Sequence, residues 1–407
     1  MAFQQGLSGL NTASKALDVI SNNVANSGTV GFKSGQALFG DVYASAIGGA
    51  ASSLQVGIGA SIGAVRQGFS QGNITATNNP LDMAINGNGF FSVTRSDGSI
   101  LYTRNGQFDV DENGYVVTPY GDQLMGFGVT SAIGGTTTFS DTTAVLQIPT
   151  GNIPPRATQD LGGSNGVSLN LNLDARIGNQ VFDITDATTY SSTSLTVYDS
   201  LGNDHLLSLY FSKTGAGTWE ARTQIDGGAI SAPSALTFST TGTVSTGGTI
   251  AFAATPAGAD PLAFTIDLSQ ATQYGSVYSV NSIAQTGYET GQLSGLNISK
   301  EGVIQGRYSN GQSQALGKIS LTAFASPNGL LSLGNNLWAP SPASGPAIDG
   351  APGAGTRGLI TSGAVEESNV DLTAELVNMI TQQRTYQANA QSIKTQDQIM
   401  QTLVNLR

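Results

Sequence analysis

The sequence predicts a mainly β protein with an amphipathic helix at each end. Three observations lead to this prediction. Apolar residues at both ends recur at spacings of three and four, the period of helices that pack through a heptad seam. Between the ends, short β-branched and aromatic runs alternate with turns of Asn, Asp and Gly. Stretches rich in Gly, Ala, Ser and Pro separate the helical ends from the β-rich middle. The termini are therefore expected to pair at one pole of an elongated, nested subunit.

The first helix is predicted from about Phe3 to Val24. The residues Asn26-Ser27-Gly28 should end it, because Asn and Gly readily adopt the left-handed conformation of a helix C-cap. Residues 40–63 are rich in Gly, Ala and Ser and carry little charge, so an extended or flexible connector is expected there.

Turn signals divide the β-rich middle into hairpins. Tight turns are predicted at 86–89, 104–106 and 111–114, then at 201–203, 301–302 and 309–311. Pro154-Pro155 lies near a domain boundary, and residues 340–363 are again rich in Pro and Gly. The last helix should occupy 365–406 and open at Ser368, whose hydroxyl would form a capping box with Asp371.

The domain prediction follows from this nesting. Residues 1–30 and 364–407 form a terminal helical domain, and 31–70 form a linker. Residues 71–145 with 285–363 form a first β domain, and 146–284 form an outer β domain inserted into it. Each domain after the first would then grow from a loop of the preceding one.

We name the two rows of residues at the helical ends the heptad seam. The N-terminal row is Phe3, Leu7, Leu10, Ser14, Leu17, Ser21 and Val24. The C-terminal row is Leu372, Leu376, Met379, Gln383, Tyr386, Ala390, Ile393, Asp397, Met400 and Val404. Packing the two rows together covers one stripe of each helix, yet further apolar side chains lie off the seam. These additional apolar side chains favour packing between subunits. The alternative is that both helices belong to the core of a monomer.

Composition excludes several function classes. The chain has 407 residues with 11% charged residues, 53 Gly and a net charge of −11, which argues against nucleic-acid binding. It has no Cys and one His, so thiolate catalysis and zinc sites with several sulfur or imidazole ligands are excluded. We expect no cofactor and no metal. No apolar run is long enough to span a membrane, and no secretory signal peptide is expected.

Catalytic motifs are weak. Residues 68–72 match the hydrolase pattern G-x-S-x-G, but that motif needs a strand before it and a helix after it, and the following sequence has no helical period. Asp109, Asp111, Asn113 and Gly114 begin like a calcium loop, yet Tyr120 stands where the bidentate Glu is required. Plain turns are predicted at both places. His205 is predicted to be an ordinary polar strand residue, and we expect no enzyme activity.

Several segments together resemble one family. LDVISNNVANSGTVGFKSG at 17–35 and SNVDLTAELVNMITQQRTYQANAQSIKTQD at 368–397 are similar to the terminal signatures of the bacterial flagellar rod and hook proteins. QGNITATNNPLDMAINGNGFF, YTRNGQFDVDENGYVV, GRYSNGQ, SPNGL and NNLWAPSPASG resemble the first β domain of that family. The insert carries no signature of its own.

The resemblance implies a structural role. The length and the large insert are similar to the hook type of subunit, and a distal rod subunit is the alternative. A hook subunit would polymerise into a flexible curved tube that transmits torque and encloses the export channel, with the paired helices lining that channel. The resemblance further implies export through the type III apparatus without a cleaved signal peptide, an extracellular place in the flagellum, and contacts with rod, hook cap and hook–filament junction proteins. It implies no membrane insertion.

Overall fold

A helix and a β-hairpin begin the chain. The computed structural model describes residues 2–42, 57, 59–133 and 136–405. The first elements are α1 (Ala2–Ala25), β1 (Gly35–Val42) and β2 (Gly59–Gln67). The predicted first helix is confirmed. The predicted connector at 40–63 overlaps an antiparallel hairpin of β1 and β2, and its residues 43–56 and 58 lie outside the described part.

The turn after α1 differs from the prediction. The left-handed glycine is Gly31, with φ of 72°, and not Gly28. A Cβ atom on Gly31 would lie 2.5 Å from the backbone nitrogen of Asn105, so only glycine allows this close approach. The chain therefore continues in turns past Gly28 until it reaches the first β domain.

The next strands enter the first β domain. They are β3 (Ile74–Ala76), β4 (Met83–Asn86), β5 (Phe90–Thr94), β6 (Ile100–Thr103), β7 (Asp109–Val110), β8 (Val116–Val117), β9 (Gln123–Ile133) and β10 (Thr136–Val145). Nearly every residue of β4, β5 and β6 is buried, so both faces of these strands are covered.

A second group of strands forms the inserted region. It comprises β11 (Val167–Asp174), β12 (Ser191–Tyr198), β13 (Asp204–Gly215), β14 (Thr218–Ile225), β15 (Ser234–Phe238), β16 (Val244–Thr246), β17 (Thr249–Ala254), β18 (Leu262–Asp267), β19 (Thr272–Tyr274) and β20 (Ser279–Gln285). They form two sheets, β12 to β16 in sequence order, and β17-β18-β11-β19 with β20 also paired to β11. One apolar core lies between them and includes Leu171, Phe211 and Trp219.

The chain then returns to the first β domain and ends in a helix. The elements are β21 (Leu293–Ile298), β22 (Val303–Tyr308), β23 (Ser313–Ile319), β24 (Leu321–Ala323), a 3₁₀ turn (Pro327–Gly329), β25 (Leu331–Gly334), β26 (Leu337–Ala339), β27 (Ile348–Gly350), β28 (Leu359–Ser362), β29 (Ala364–Glu366) and α2 (Leu372–Asn405). Strands from both passes share one large sheet, with the path β21-β22-β23-β9-β5-β6-β26-β25.

The predicted turns have two outcomes. Those at 111–114, 201–203, 301–302 and 309–311 join paired antiparallel strands, as predicted. Those at 86–89 and 104–106 do not form hairpins, because β4 pairs with β28 and β6 is followed by an unpaired corner. At that corner a Cβ atom on Gly106 would overlap the carbonyl oxygen of Met83 at 1.5 Å, so this glycine serves close packing.

The start of the last helix also differs from the prediction. The helix begins at Leu372, and residues 364–366 form β29, which pairs with β3. Asp371 is the N-cap, because its Oδ1 accepts hydrogen bonds from the amides of Thr373 (2.9 Å) and Ala374 (3.1 Å). The Ser368 hydroxyl instead accepts the amide of Val370 in the preceding turn.

A short two-stranded connection carries the inserted region. Isolated bridges join Ile153 to Gly291 and Arg156 to Tyr288. The Arg156 guanidinium carbon lies 4.6 Å from the centre of the Tyr288 ring, and the Arg156 side chain donates hydrogen bonds to the carbonyl of Thr286. These contacts hold together the two segments of the chain that connect the first β domain to the inserted region.

Candidate assembly surface of the terminal helices

The two terminal helices pack against each other in antiparallel orientation. Near one end of the pair, Nδ2 of Asn23 donates a 3.0 Å hydrogen bond to Oε1 of Glu375. Further along, Gly9 lies against the Asn389 side chain, and Gly6 lies against Ile393. As the residue number falls in α1 it rises in α2, which fixes the direction of the pair.

Small residues of α1 make the contact stripe of the pair. Gly6, Ala13, Ala16 and Asn23 are buried. These positions lie one residue before Leu7, Ser14, Leu17 and Val24 of the heptad seam. Small side chains allow the two helix axes to approach closely, which leaves the larger apolar side chains at the flank of the contact.

The structure places the apolar residues of the heptad seam in three groups. Phe3 and Leu7 of α1, together with Leu372, Leu376, Tyr386 and Met400 of α2, are exposed. Partly buried residues are Leu10, Leu17, Val24, Met379, Ala390 and Ile393. The side chain of Val404 lies outside the described residues. Among these residues, Ile393 is brought against α1 at Gly6.

A β-hairpin covers the other side of α1. β1 and β2 both pack on α1. Nδ2 of Asn23 donates to the carbonyl of Gly35 at 2.8 Å, and its Oδ1 accepts the Gly35 amide at 2.8 Å. Because Asn23 also contacts Glu375, this one buried amide joins α1, β1 and α2. A groove of about 350 Å³ runs between the three elements.

A buried group of charges joins the helices to the first β domain. We name Lys33, Arg104 and Glu366 the ionic hub. Nζ of Lys33 lies 2.6 Å from Oε1 of Glu366, and Nη1 of Arg104 lies 3.1 Å from Oε2. The Lys33 and Glu366 side chains are fully buried, and that of Arg104 is nearly so. The hub therefore ties together the turn after α1, the corner after β6 and the strand before α2.

Backbone groups complete the hub. The Gly72 amide donates to Oε1 of Glu366 at 3.0 Å, Nζ of Lys33 donates to the Ser70 carbonyl at 2.9 Å, and Nη2 of Arg104 donates to the Gly87 carbonyl at 2.9 Å. Burial lowers the pKa of Lys33, and the Glu366 carboxylate opposes that shift. Burial likewise lowers the pKa of Arg104 against the same carboxylate. With two cations and one anion, the hub depends on Glu366.

Asn369 adds a second polar link beside the hub. Its Nδ2 donates to the Gly68 carbonyl at 2.7 Å and to Oγ of Ser70 at 2.9 Å, while its Oδ1 accepts the Ser34 amide at 2.8 Å. The sequence reasoning missed Asn23, Asn369 and the hub. Periodicity analysis follows apolar residues. The only signal in the sequence was that Asn23, Lys33 and Asn369 lie inside the two terminal signatures.

The weak catalytic motifs fold as turns. Gly68 to Gly72 lies in an irregular segment between β2 and β3, and the segment is not followed by a helix. Oδ1 of Asp111 accepts the amides of Asn113 and Tyr115 within the β7–β8 hairpin. His205 lies on β13, where Nδ1 is 2.6 Å from Oδ2 of Asp226 and Nε2 is 3.4 Å from Oδ2 of Asp199. These contacts stay within the inserted region.

Two features are absent from the described residues. No helix in that part of the chain is long and apolar enough to cross a membrane. Nor do these residues include a group of three or more His, Cys, Asp or Glu side chains positioned for a metal ion.

Comparison with known proteins identifies the family. Over the full length of both chains, this chain is 42% identical to the flagellar hook protein FlgE of Escherichia coli K12 and 41% identical to that of Salmonella typhimurium LT2. It is 32% identical to FlgE of Brucella suis, over all of this chain and 98% of the relative. The chain belongs to the flagellar hook protein FlgE family.

Family models cover the chain segment by segment. The flagella basal body rod protein model matches residues 3–33, and the FlgE/F/G D1 domain model matches 84–167. The FlaE D2 domain model matches 170–288, and the FlgEFG C-terminal model matches 361–406. The predicted resemblance is confirmed, and a structural subunit of the hook is supported over a distal rod subunit.

A solved structure shares the fold. The crystal structure of the Helicobacter pylori flagellar hook protein FlgE2 aligns with a TM-score of 0.53 at 16% identity, covering 70% of this chain and 98% of that one. The predicted fold class, mainly β with terminal helices in a multidomain arrangement, is confirmed.

Proposed function

We propose that the heptad seam of the terminal helices is the contact through which copies of this chain polymerise into the hook. The observation that carries this proposal is the exposure of large apolar side chains on a helix pair whose own contact uses small ones. Leu372 and Leu376 of α2 are 45% and 44% exposed, and Met400 is 62% exposed. Apolar stripes of this kind mark contact surfaces in soluble proteins.

The polymer would be a flexible curved tube that transmits torque from rod to filament and encloses the export channel. The helix pairs would form its inner layer. The β domains would lie outside, and the ionic hub would hold each helix pair to its own first β domain. The hub would keep each helix pair attached to its own first β domain, and apolar contacts would join neighbouring subunits. The tube could then bend while each subunit stays folded.

Finer statements about partners and location rest on the family. We infer contacts with rod, hook cap and hook–filament junction proteins, export through the type III apparatus and an extracellular location. A purely structural role without catalysis is part of the same proposal. The domain division at residues 1–30 with 364–407, 31–70, 71–145 with 285–363, and 146–284 also remains a proposal.

Substitution of one seam residue tests the proposal. Leu376→Asp places a carboxylate in the contact, where an unpaired charge costs more than the ~2–7 kcal/mol of an unpaired neutral polar group. Polymers of the purified full-length chain should be lost, as measured by sedimentation and electron microscopy. The fluorescence of Trp219, buried in the inserted region, should be unchanged.

Thr381→Asp is the matched control. Thr381 is exposed on the same helix and lies about 140° around it from Leu376. The control introduces the same charge on the same helix, and Thr and Asp have similar helix propensities, so polymerisation should persist. Gln382 is unsuitable because it lines the groove beside α1. Polymers of Leu376→Asp as abundant as those of the unsubstituted chain would overturn the proposal.

A further inference from the structure

The exposed apolar residues of the helix pair are concentrated at its two ends. At the end near the ionic hub, α2 exposes the proximal patch, which consists of Leu372, Leu376, Val377 and Ile380. At the other end, both helices expose the distal patch, which consists of Phe3, Leu7, Ile399 and Met400. Between the patches, the exposed residues of α2 are mostly polar and include Arg384 and Gln391.

The distal patch includes a part of α2 that lies beyond the described residues of α1. Gly6 lies against Ile393, so in an antiparallel pair α1 ends opposite about residue 397. The helix α2 continues to Asn405. Met400 follows Ile393 by seven residues and therefore continues the stripe that faces α1, yet it is 62% exposed. The contact stripe of the pair thus extends beyond the pair itself.

We propose that the distal patch of one copy packs on the proximal patch of the next copy along the polymer. The proposal rests on the proposed function and specifies which surfaces meet. Two different patches on one chain make a heterologous contact, and such contacts repeat without closing. A symmetric contact of distal patch with distal patch would give closed dimers instead. Since relatives over the full length are hook proteins, a repeating contact with a second copy fits this surface.

The absence of cysteine gives a direct test. The chain has no Cys, so a single introduced Cys reports only contacts between copies. Leu7→Cys in the distal patch and Ile380→Cys in the proximal patch are prepared as separate full-length chains, copolymerised and oxidised. Disulfides form only when the Cα atoms approach within about 7 Å. We expect disulfide-linked dimers in the mixed polymer and none in polymers of either variant alone.

A second pair of Cys variants and a control variant complete the experiment. Met400→Cys with Leu376→Cys probes the same contact, in case either variant of the first pair fails to polymerise. Gln391→Cys, exposed between the patches, should give no dimers with Leu7→Cys. Dimers of Leu7→Cys alone, dimers with Gln391→Cys, or polymers of both pairs without dimers would overturn the pairing. The proposed function would survive those results. Failure of the unsubstituted chain to polymerise would overturn both.

Discussion

The inserted region and the terminal helix pair bury their apolar residues in different ways. In the inserted region, two sheets enclose a core in which Phe211 and Trp219 are almost completely buried. In the helix pair, the buried stripe consists of Gly, Ala and Asn, and large apolar residues face outward. One region is completed by its own chain, whereas in the proposed polymer the other would be completed by other copies. A single sequence can therefore combine independent folding with dependence on assembly.

The largest effect is expected when the two regions are prepared as separate fragments. A fragment of residues 153–291 includes both bridges of the connection, and it excludes Leu146 and Ile148, which belong to the core of the first β domain. It should unfold cooperatively in urea, because its core and both of its sheets are complete. A peptide of residues 372–405 should remain largely unfolded, since an isolated helix gains little from propensity alone.

The full-length chain provides the reference for that fragment. It has two tryptophans, Trp219 in the inserted region and Trp338 in the first β domain. In a Trp338→Phe background, Trp219 fluorescence should report the same urea midpoint as the fragment. A fragment that unfolds without cooperativity would mean that the two β regions share their stability.

Loss of the hub carboxylate should have the next largest effect. Glu366→Gln leaves the buried cations Lys33 and Arg104 without their shared anion, which costs about 3–5 kcal/mol. In a Trp219→Phe background, Trp338 fluorescence should show a lower free energy of unfolding. Trp338 reports this region because its Nε1 donates to Gln67, close to the hub.

The neighbouring residue is the control for this prediction. Glu367 is exposed, so Glu367→Gln removes the same charge and should change the free energy of unfolding by less than about 0.5 kcal/mol. Trp219 in the inserted region should report no change for either variant. Equal effects of the two substitutions would show that the hub does not stabilise the attachment of the helices.

The smallest expected effect is a pH dependence confined to the inserted region. Hydrogen bonds that His205 donates to the carboxylates of Asp226 and Asp199 raise its pKa above the ordinary value of 6.5. The resulting stabilisation is fully present below the unfolded pKa and is lost as pH rises through the raised folded pKa. The urea midpoint reported by Trp219 should therefore decrease as pH rises from about 5.5 through the raised folded pKa of His205.

His205 is the only histidine in the chain, which makes the control simple. His205→Gln should remove this decline, and the midpoint reported by Trp338 should lack it. The hydrogen bonds that lower the pKa of Asp226 and Asp199 act in a separate acidic range, where stability is lost as pH falls through their lowered pKa values. A decline that persists in His205→Gln would assign it to other groups.

The sequence predicted the features that depend on neighbouring residues. It missed those that depend on contacts between segments far apart in the chain. Turns such as 309–311 need only neighbouring residues in the right conformation, so their residue types identify them. The heptad period predicted both helices, but it could not show that Gly6 and Ala16 would face α2 instead of Leu7 and Leu17. That choice depends on how closely two distant segments approach. The hairpin of β1 and β2 was missed because Gly and Ala obscure its strand pattern.

The hub also sets an order of events for the chain. Lys33 and Glu366 are 333 residues apart, and both β regions lie between them. The entropy cost of closing such a long loop grows only slowly with length, so the ion pair remains favourable once formed. It nevertheless cannot form until almost the whole polypeptide is present. A growing or partly delivered chain therefore cannot present its two helices as an anchored pair, and the surface proposed to join copies would be completed last.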